Sequence, residues 1–130
     1  MAYLDDIADY IQTAGLGTIG ADLFTAKMPD SPDACACLTE RSGIAPDAIT
    51  TIEHPGFRVL CRGEDSDAGI SAAFAKAYAI KKLLHRAVGL TLGTTLYHRI
   101  DAMGAPSYNA QDDRGRPIYE VSFIATKEEE

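Results

Sequence analysis

Residues 54–88 read HPGFRVLCRGEDSDAGISAAFAKAYAIKKLLHRAV, and a change of period divides them. Phe57, Val59 and Cys61 alternate with Arg58, Leu60 and Arg62, the two-residue repeat of a half-buried strand. Gly63-Glu64-Asp65-Ser66-Asp67 breaks that alternation as an acidic turn. From about Asp67 to Val88 the apolar residues Ile70, Ala73, Phe74, Ala77, Ile80, Leu84 and Ala87 recur at helical spacing. Lys81, Lys82, His85 and Arg86 crowd the carboxyl end of this helix, where its dipole favours positive charge. Gly89 and Gly93 supply the stop. A strand followed by an alanine-rich helix able to lie close on a sheet is the unit of an α+β layer.

The flanks extend the same pattern. Tyr3, Leu4, Ile7, Tyr10, Ile11 and Ala14 share one helical face over residues 2–14, with Asp5, Asp6, Asp9 and Gln12 opposite and Gly15 as a stop. GLGTIG is a flexible connection, ADLFTAKM a short β-type segment, and Ala34–Leu38 a strand buried on both faces. Residues 40–53, with Gly43 and Pro46, read as a loop. Two more strands follow: Thr95–Asp101, with Leu96, His98 and Ile100 on one face, and Ile118–Thr126, with Tyr119, Val121, Phe123 and Ala125 on one face. The expected fold class is α+β, a largely antiparallel or mixed sheet with two main helices packed on one face. One domain spans 1–126, and Lys127–Glu130 forms a frayed tail. Arg58, Leu60, Arg62, Tyr97, Arg99, Ile118 and Ile124 then point to the other sheet face, a mixture of the kind enriched at protein interfaces.

Bulk composition excludes several function classes. A formal charge of −7 and a pI near 4.8 oppose a protein that grips phosphate backbones. No apolar run is long enough to span a bilayer, since ISAAFAKAYAI carries Lys76 in its middle. The start MAYLDDIADY is acidic and lacks the marks of a signal peptide, so retention where the chain is made is expected. Three cysteines do not make a disulfide framework, and a reducing compartment fits them.

Candidate chemistry is equally sparse. Cys35 and Cys37 share a strand face but lack the four soft ligands of a zinc site, and read as buried structural thiols. His54, His85 and His98 have no spacing that pairs two metal ligands, and no nucleophile motif is present. Neither metal, cofactor nor catalytic residue is expected. QDDRGRP, residues 111–117, lacks the alternating oxygens and closing glutamate of a calcium loop. It reads as a solvent-exposed hairpin turn in which Gly115 takes a positive φ.

Three blocks together carry a resemblance. GLGTIGADLFTAKMPDSPDACACL behind an amphipathic helix, HPGFRVLCRG before an alanine-rich helix, and YHRIDAMGAPSYNAQDDRGRPIYEVSFIA cover nearly the whole chain. They resemble the tail terminator proteins of long-tailed bacteriophages, a group that includes sequences labelled minor capsid protein. Pro106, Asp112, Gly115 and Arg116 match that family's closing motif, and Met28, Pro29, Asp30, Pro32 and Asp33 its proline-aspartate turn.

The resemblance implies a structural virion subunit without catalysis. It implies a homo-oligomer, typically a hexameric ring, whose subunit can be monomeric in isolation and assemble only on the tail. The ring sits at the head-proximal end of the tail tube, stops tube polymerisation and docks the head connector or stopper. Tail tube and connector are the implied partners, and assembly takes place in the host cytoplasm. An acidic ring suits a lumen through which DNA passes without tight binding. The candidate subunit or tube contacts are Asp30, Asp33, Arg58, Arg62, Arg99, Asp112, Arg114 and Arg116. Two alternatives remain at this stage: a head-completion or neck protein of the same virion, and a small ligand-binding domain or enzyme with a pocket lined by Tyr78, Tyr97, His85 and His98.

Overall fold

The computed structural model describes residues 2–129. Helix α1 (Ala2–Thr13) leads into β1 (Leu23–Thr25), β2 (Cys35–Ile44) and β3 (Ile52–Arg62). Helix α2 (Asp67–Leu84) follows, then β4 (Ala87–Leu92), β5 (Thr95–Ala102), β6 (Ser107–Gln111) and β7 (Pro117–Glu128). The sheet order is β1-β2-β3-β7-β5-β4, with β6 paired to β7. Only β1 with β2 is parallel among the named pairs, so the sheet is mixed and the α+β class holds. β5 and β6 occupy the same edge of β7, β5 opposite Phe123–Lys127 and β6 opposite Pro117–Glu120. They behave as one interrupted strand, with the Met103 amide still donating to the Ser122 carbonyl at 2.8 Å in the gap.

Packing follows the alternation. Phe57, Val59 and Cys61 of β3 and Val121, Phe123 and Ala125 of β7 are buried together with Leu4, Ile7 and Ile11 of α1 and Ala77, Ile80 and Leu84 of α2. Phe57 and Phe123 stack at 5.1 Å between ring centroids. α1 touches β1 and β2 near one end of the sheet and β4 at the other. One helix can reach both ends only if the sheet curls around it, as the cumulative twist of strands allows. Ser66 caps α2 by accepting the Gly69 amide at 3.0 Å.

Several expectations are corrected. The segment read as a loop, 40–53, contains the second half of β2 and the start of β3, joined in a hairpin whose register pairs Ile44 with His54. Its exposure removed the apolar signal: every residue from Glu40 to Thr51 is exposed. α2 ends at Leu84, not Val88, because Arg86 takes a left-handed φ of 65° and the chain turns into β4. Gly89 therefore lies within β4 and Gly93 in the β4–β5 turn, both with positive φ. Ile70 and Phe74, placed on the buried stripe of α2, are exposed.

The expected Leu96–His98–Ile100 face is split. A register shift between Tyr97 and Arg99 leaves Tyr97 and Ile100 fully buried, so Tyr97 joins the core and not the outer face. The ladder of β7 continues to Glu128, and Lys127 takes the next inward position after Ala125. Its ammonium donates to Glu53 Oε1 at 3.0 Å and to the Glu128 carbonyl at 3.3 Å. The expected frayed tail thus does not begin at residue 127; Glu130 lies outside the described residues.

Candidate functional site

The two motifs flagged in the sequence, 28–33 and 111–116, lie against each other. Asp112 organises the second. Its Oδ1 accepts the amides of Arg114 at 3.0 Å and Arg116 at 2.9 Å, while its carbonyl accepts the Gly115 amide at 3.0 Å. Gly115 sits at φ +74°, where an added Cβ would also stand 3.0 Å from Asp65 Oδ2. Burial pushes the Asp112 carboxyl up, but the hydrogen bonds from Arg116 and Arg114 outweigh it and hold the group below the ordinary aspartate range. The hairpin turn is therefore as expected, but it is not solvated throughout, because Arg116 is only 4% exposed.

The Arg116 guanidinium is spent inside the chain. Its Nε donates to Asp112 Oδ2 at 2.7 Å, its Nη1 to the Asp30 carbonyl at 2.6 Å and to Asp33 Oδ1 at 2.9 Å, and its Nη2 to Asp30 Oδ1 at 3.2 Å. Burial disfavours the charged form, yet the bonds to Asp33, Asp112 and Asp30 more than offset that loss and raise its proton affinity above that of a free arginine. Arg62, 5% exposed, holds the same loop from the sheet: Nε donates to the Asp33 carbonyl at 2.9 Å and Nη2 to the Pro32 carbonyl at 2.7 Å. The loop between β1 and β2, which contains a cis Ser31–Pro32 bond, is thus clamped by two buried arginines.

What faces solvent is Asp30, Asp33 and Arg114, with Arg114 Nη2 at 2.9 Å from Asp30 Oδ2. Beside them runs an open cleft of about 740 Å³, lined by apolar Phe24, Met28, Pro29 and Ile118 and by charged groups of both signs, Lys27, Arg62 and Arg116 with Asp30, Asp112 and Asp113. The arrangement presents a rigid, charged projection rather than an enclosed pocket. No group of three His, Cys, Asp or Glu residues among those described is arranged to hold a metal ion. Nor is any described helix long and apolar enough to cross a membrane.

Of the eight residues singled out, six meet here: Asp30, Asp33, Arg62, Asp112, Arg114 and Arg116. Arg58 and Arg99 stand elsewhere on the sheet. Arg58 donates to Thr39 Oγ1 at 3.1 Å and lies 3.4 Å from Glu120. Arg99 is held by Asp101 at 2.8 Å. Arg62, expected on an open sheet face, is covered by the loop it grips. Asp65, beside Gly115, was not foreseen, because its segment reads only as an acidic turn.

The residues of the rival pocket are not gathered. Tyr97 is in the core, and His98 reaches Glu128 Oε2 at 2.7 Å. His85 Nδ1 accepts the Ala102 amide, and Tyr78 stands on the exposed side of α2.

Compared with known families, the chain matches the model described as "Bacteriophage tail terminator protein" over residues 10–129. It belongs to the bacteriophage tail terminator family. Both clamped motifs fall inside the matched region, and tail terminators are structural tail proteins, not enzymes. Among solved structures, a chain of the "Virion of native gene transfer agent (GTA) particle" superposes with a TM-score of 0.58 at 18% identity. That alignment covers 94% of this chain and 84% of the other, and shows a shared fold. No curated protein matches the sequence. The terminator family makes this chain a structural component of a virion.

Proposed function

We propose that the chain forms a ring, hexameric in the assembled tail, at the head-proximal end of the tail tube, where it ends tube polymerisation and docks the head connector. The observation that supports this reading is a terminator family match that includes both motifs, which here form one rigid exposed block. Buried Arg62 and Arg116 act as positioning residues. Asp30, Asp33 and Arg114 are the side chains of that block left to meet a neighbouring subunit, the tube or the connector. A contact surface already ordered before binding loses little conformational entropy on docking.

In this reading both helices lie on the concave side of the curled sheet, and the convex side, with Arg58 and Arg99, is available to neighbours. The ring encloses the DNA path, and the net charge of −7 per subunit keeps phosphates from adhering to the lumen. The test is localisation. Particles carrying a small electron-dense tag on the exposed Glu129 end should show it in a six-fold ring at the junction of tail and head. Tag density spread along the tube, or inside the head, would refute the placement.

A further inference from the structure

Two exposed apolar features stand at opposite poles of the subunit and are used by nothing described above. The first is aromatic. On α2, Ile70, Phe74 and Tyr78 follow one another at successive four-residue steps on an exposed side, and Phe74 and Tyr78 stack at 5.9 Å between ring centroids. Phe74 meets Tyr119 of β7 edge-on at 5.5 Å, and Tyr119 meets the exposed Tyr108 of β6 at 5.5 Å. Lys81 and Lys82 place their ammonium groups 5.6 and 5.9 Å from the Tyr78 ring. Among the described residues neither lysine has an acidic partner.

The second is the tip of the β2–β3 hairpin, where Ile49 is 96% and Ile44 62% exposed. Acids surround that tip: Asp47 within it, Glu53 at its base, and Glu128 and Glu129 from the end of β7, where the Glu129 amide donates to the Thr51 carbonyl. Lys127, drawn to Glu53, and Arg41 at the base of the hairpin offset them in part, and His54 Nε2 lies 3.1 Å from Asp47 Oδ1, leaving acids in excess at this pole. At about 3.3 Å per residue, Tyr119 and Glu128 of β7 are roughly 30 Å apart. The two features therefore cannot meet within one subunit.

We infer that the hairpin tip of one copy of this chain seats on the aromatic face of the next, with Ile49 against Phe74 and Tyr78, and Asp47 facing Lys81 and Lys82. The occupant is a second copy because charge and chemistry are complementary between the poles. Pairing like with like, tip to tip, would set acid against acid. A contact between two different patches is heterologous, and repetition of such a contact closes into a ring when the rotation allows. Aromatic anchors ringed by charge are also what well-packed interfaces use. This inference rests on the ring reading above.

The test is site-directed cross-linking in assembled particles. Cys35, Cys37 and Cys61 are buried, so a chain carrying Ile49→Cys and Tyr78→Cys presents two reactive thiols. A short bifunctional maleimide should yield a ladder of multimers from the double variant and none from either single variant. As an independent arm, Lys81→Glu with Lys82→Glu should reduce ring yield about tenfold by like-charge repulsion, and Asp47→Lys in the same chain should restore it. Rings visible by electron microscopy without a ladder would overturn the inference and leave the ring reading intact. A cross-link from residue 49 to the tube or connector protein would also overturn it. Particles with no ring of this chain would remove both.

Discussion

Arg62→Ala should loosen the β1–β2 loop where it meets the sheet while leaving the core folded. The guanidinium makes two bonds to backbone carbonyls, at 2.9 and 2.7 Å, from a side chain that is almost wholly covered. A hydrogen bond from a charged donor contributes about 1.5–3 kcal/mol. Water can reach the loop carbonyls once they are freed, so the lower figure applies to each, and the pair contributes about 3 kcal/mol. For a chain of this size that corresponds to a fall in Tm of about 10 °C. Arg116 still holds the loop through Asp30 and Asp33, which limits the opening to the part next to the sheet. Urea unfolding should show a lower midpoint at unchanged slope, and hydrogen exchange should show, beyond the loss shared by all globally protected amides, an additional loss in residues 26–36. Arg62→Met, which keeps the apolar stem, separates packing from hydrogen bonding. Full stability in the methionine variant, or unchanged exchange in the alanine variant, would refute the clamp.

Further consequences follow from the same structure. The Asp112 carboxyl is held below its unfolded value, so the stability it contributes is present above the ordinary aspartate range, near pH 4, and is lost as pH falls through the lowered folded value. Unfolding midpoints measured from pH 2 to 6 should show this acid dependence reduced in Asp112→Asn. Burial pushes the Cys37 thiol up to about 11 and the Cys61 thiol up to about 12. Native protein at pH 8 should therefore react with a thiol reagent far more slowly than protein unfolded in guanidinium. As these thiols are protonated in the fold, stability falls as pH rises above about 9, the unfolded thiol range. Phe123→Ala removes one partner of a fully buried stacked pair and should cost about 3–5 kcal/mol in urea unfolding. A loss under 1 kcal/mol would contradict the central place of Phe57 and Phe123 in the core.

Where burial imposed a period, the sequence was legible. Phe57-Val59-Cys61 and Val121-Phe123-Ala125 are inward because alternation in a half-buried strand leaves no other arrangement. β4 and β6 were missed because neither is bounded by burial: β6 is exposed along its length, and the glycine pair 89 and 93 imitates a helix stop. Tyr97 was misplaced by one extra residue in β5, which reverses the faces beyond it. At the site, local chemistry was readable and pairing across the fold was not. Asp112 followed by Gly115 marks a turn on its own, but that Arg116 would reach Asp30 and Asp33 depends on β2, β3 and β7 being neighbours. Lys127 continues the inward period of β7, but its charge and the acids after it read as a solvated tail, so the strand is expected to end at Thr126.

Tail length is the most direct measure of the central claim. Particles assembled without this chain, imaged in the electron microscope, should carry tubes of broad and excessive length that fail to join heads, and supply of the chain in trans should restore one length and joined particles. Tails of uniform normal length, joined to heads without it, would contradict the account.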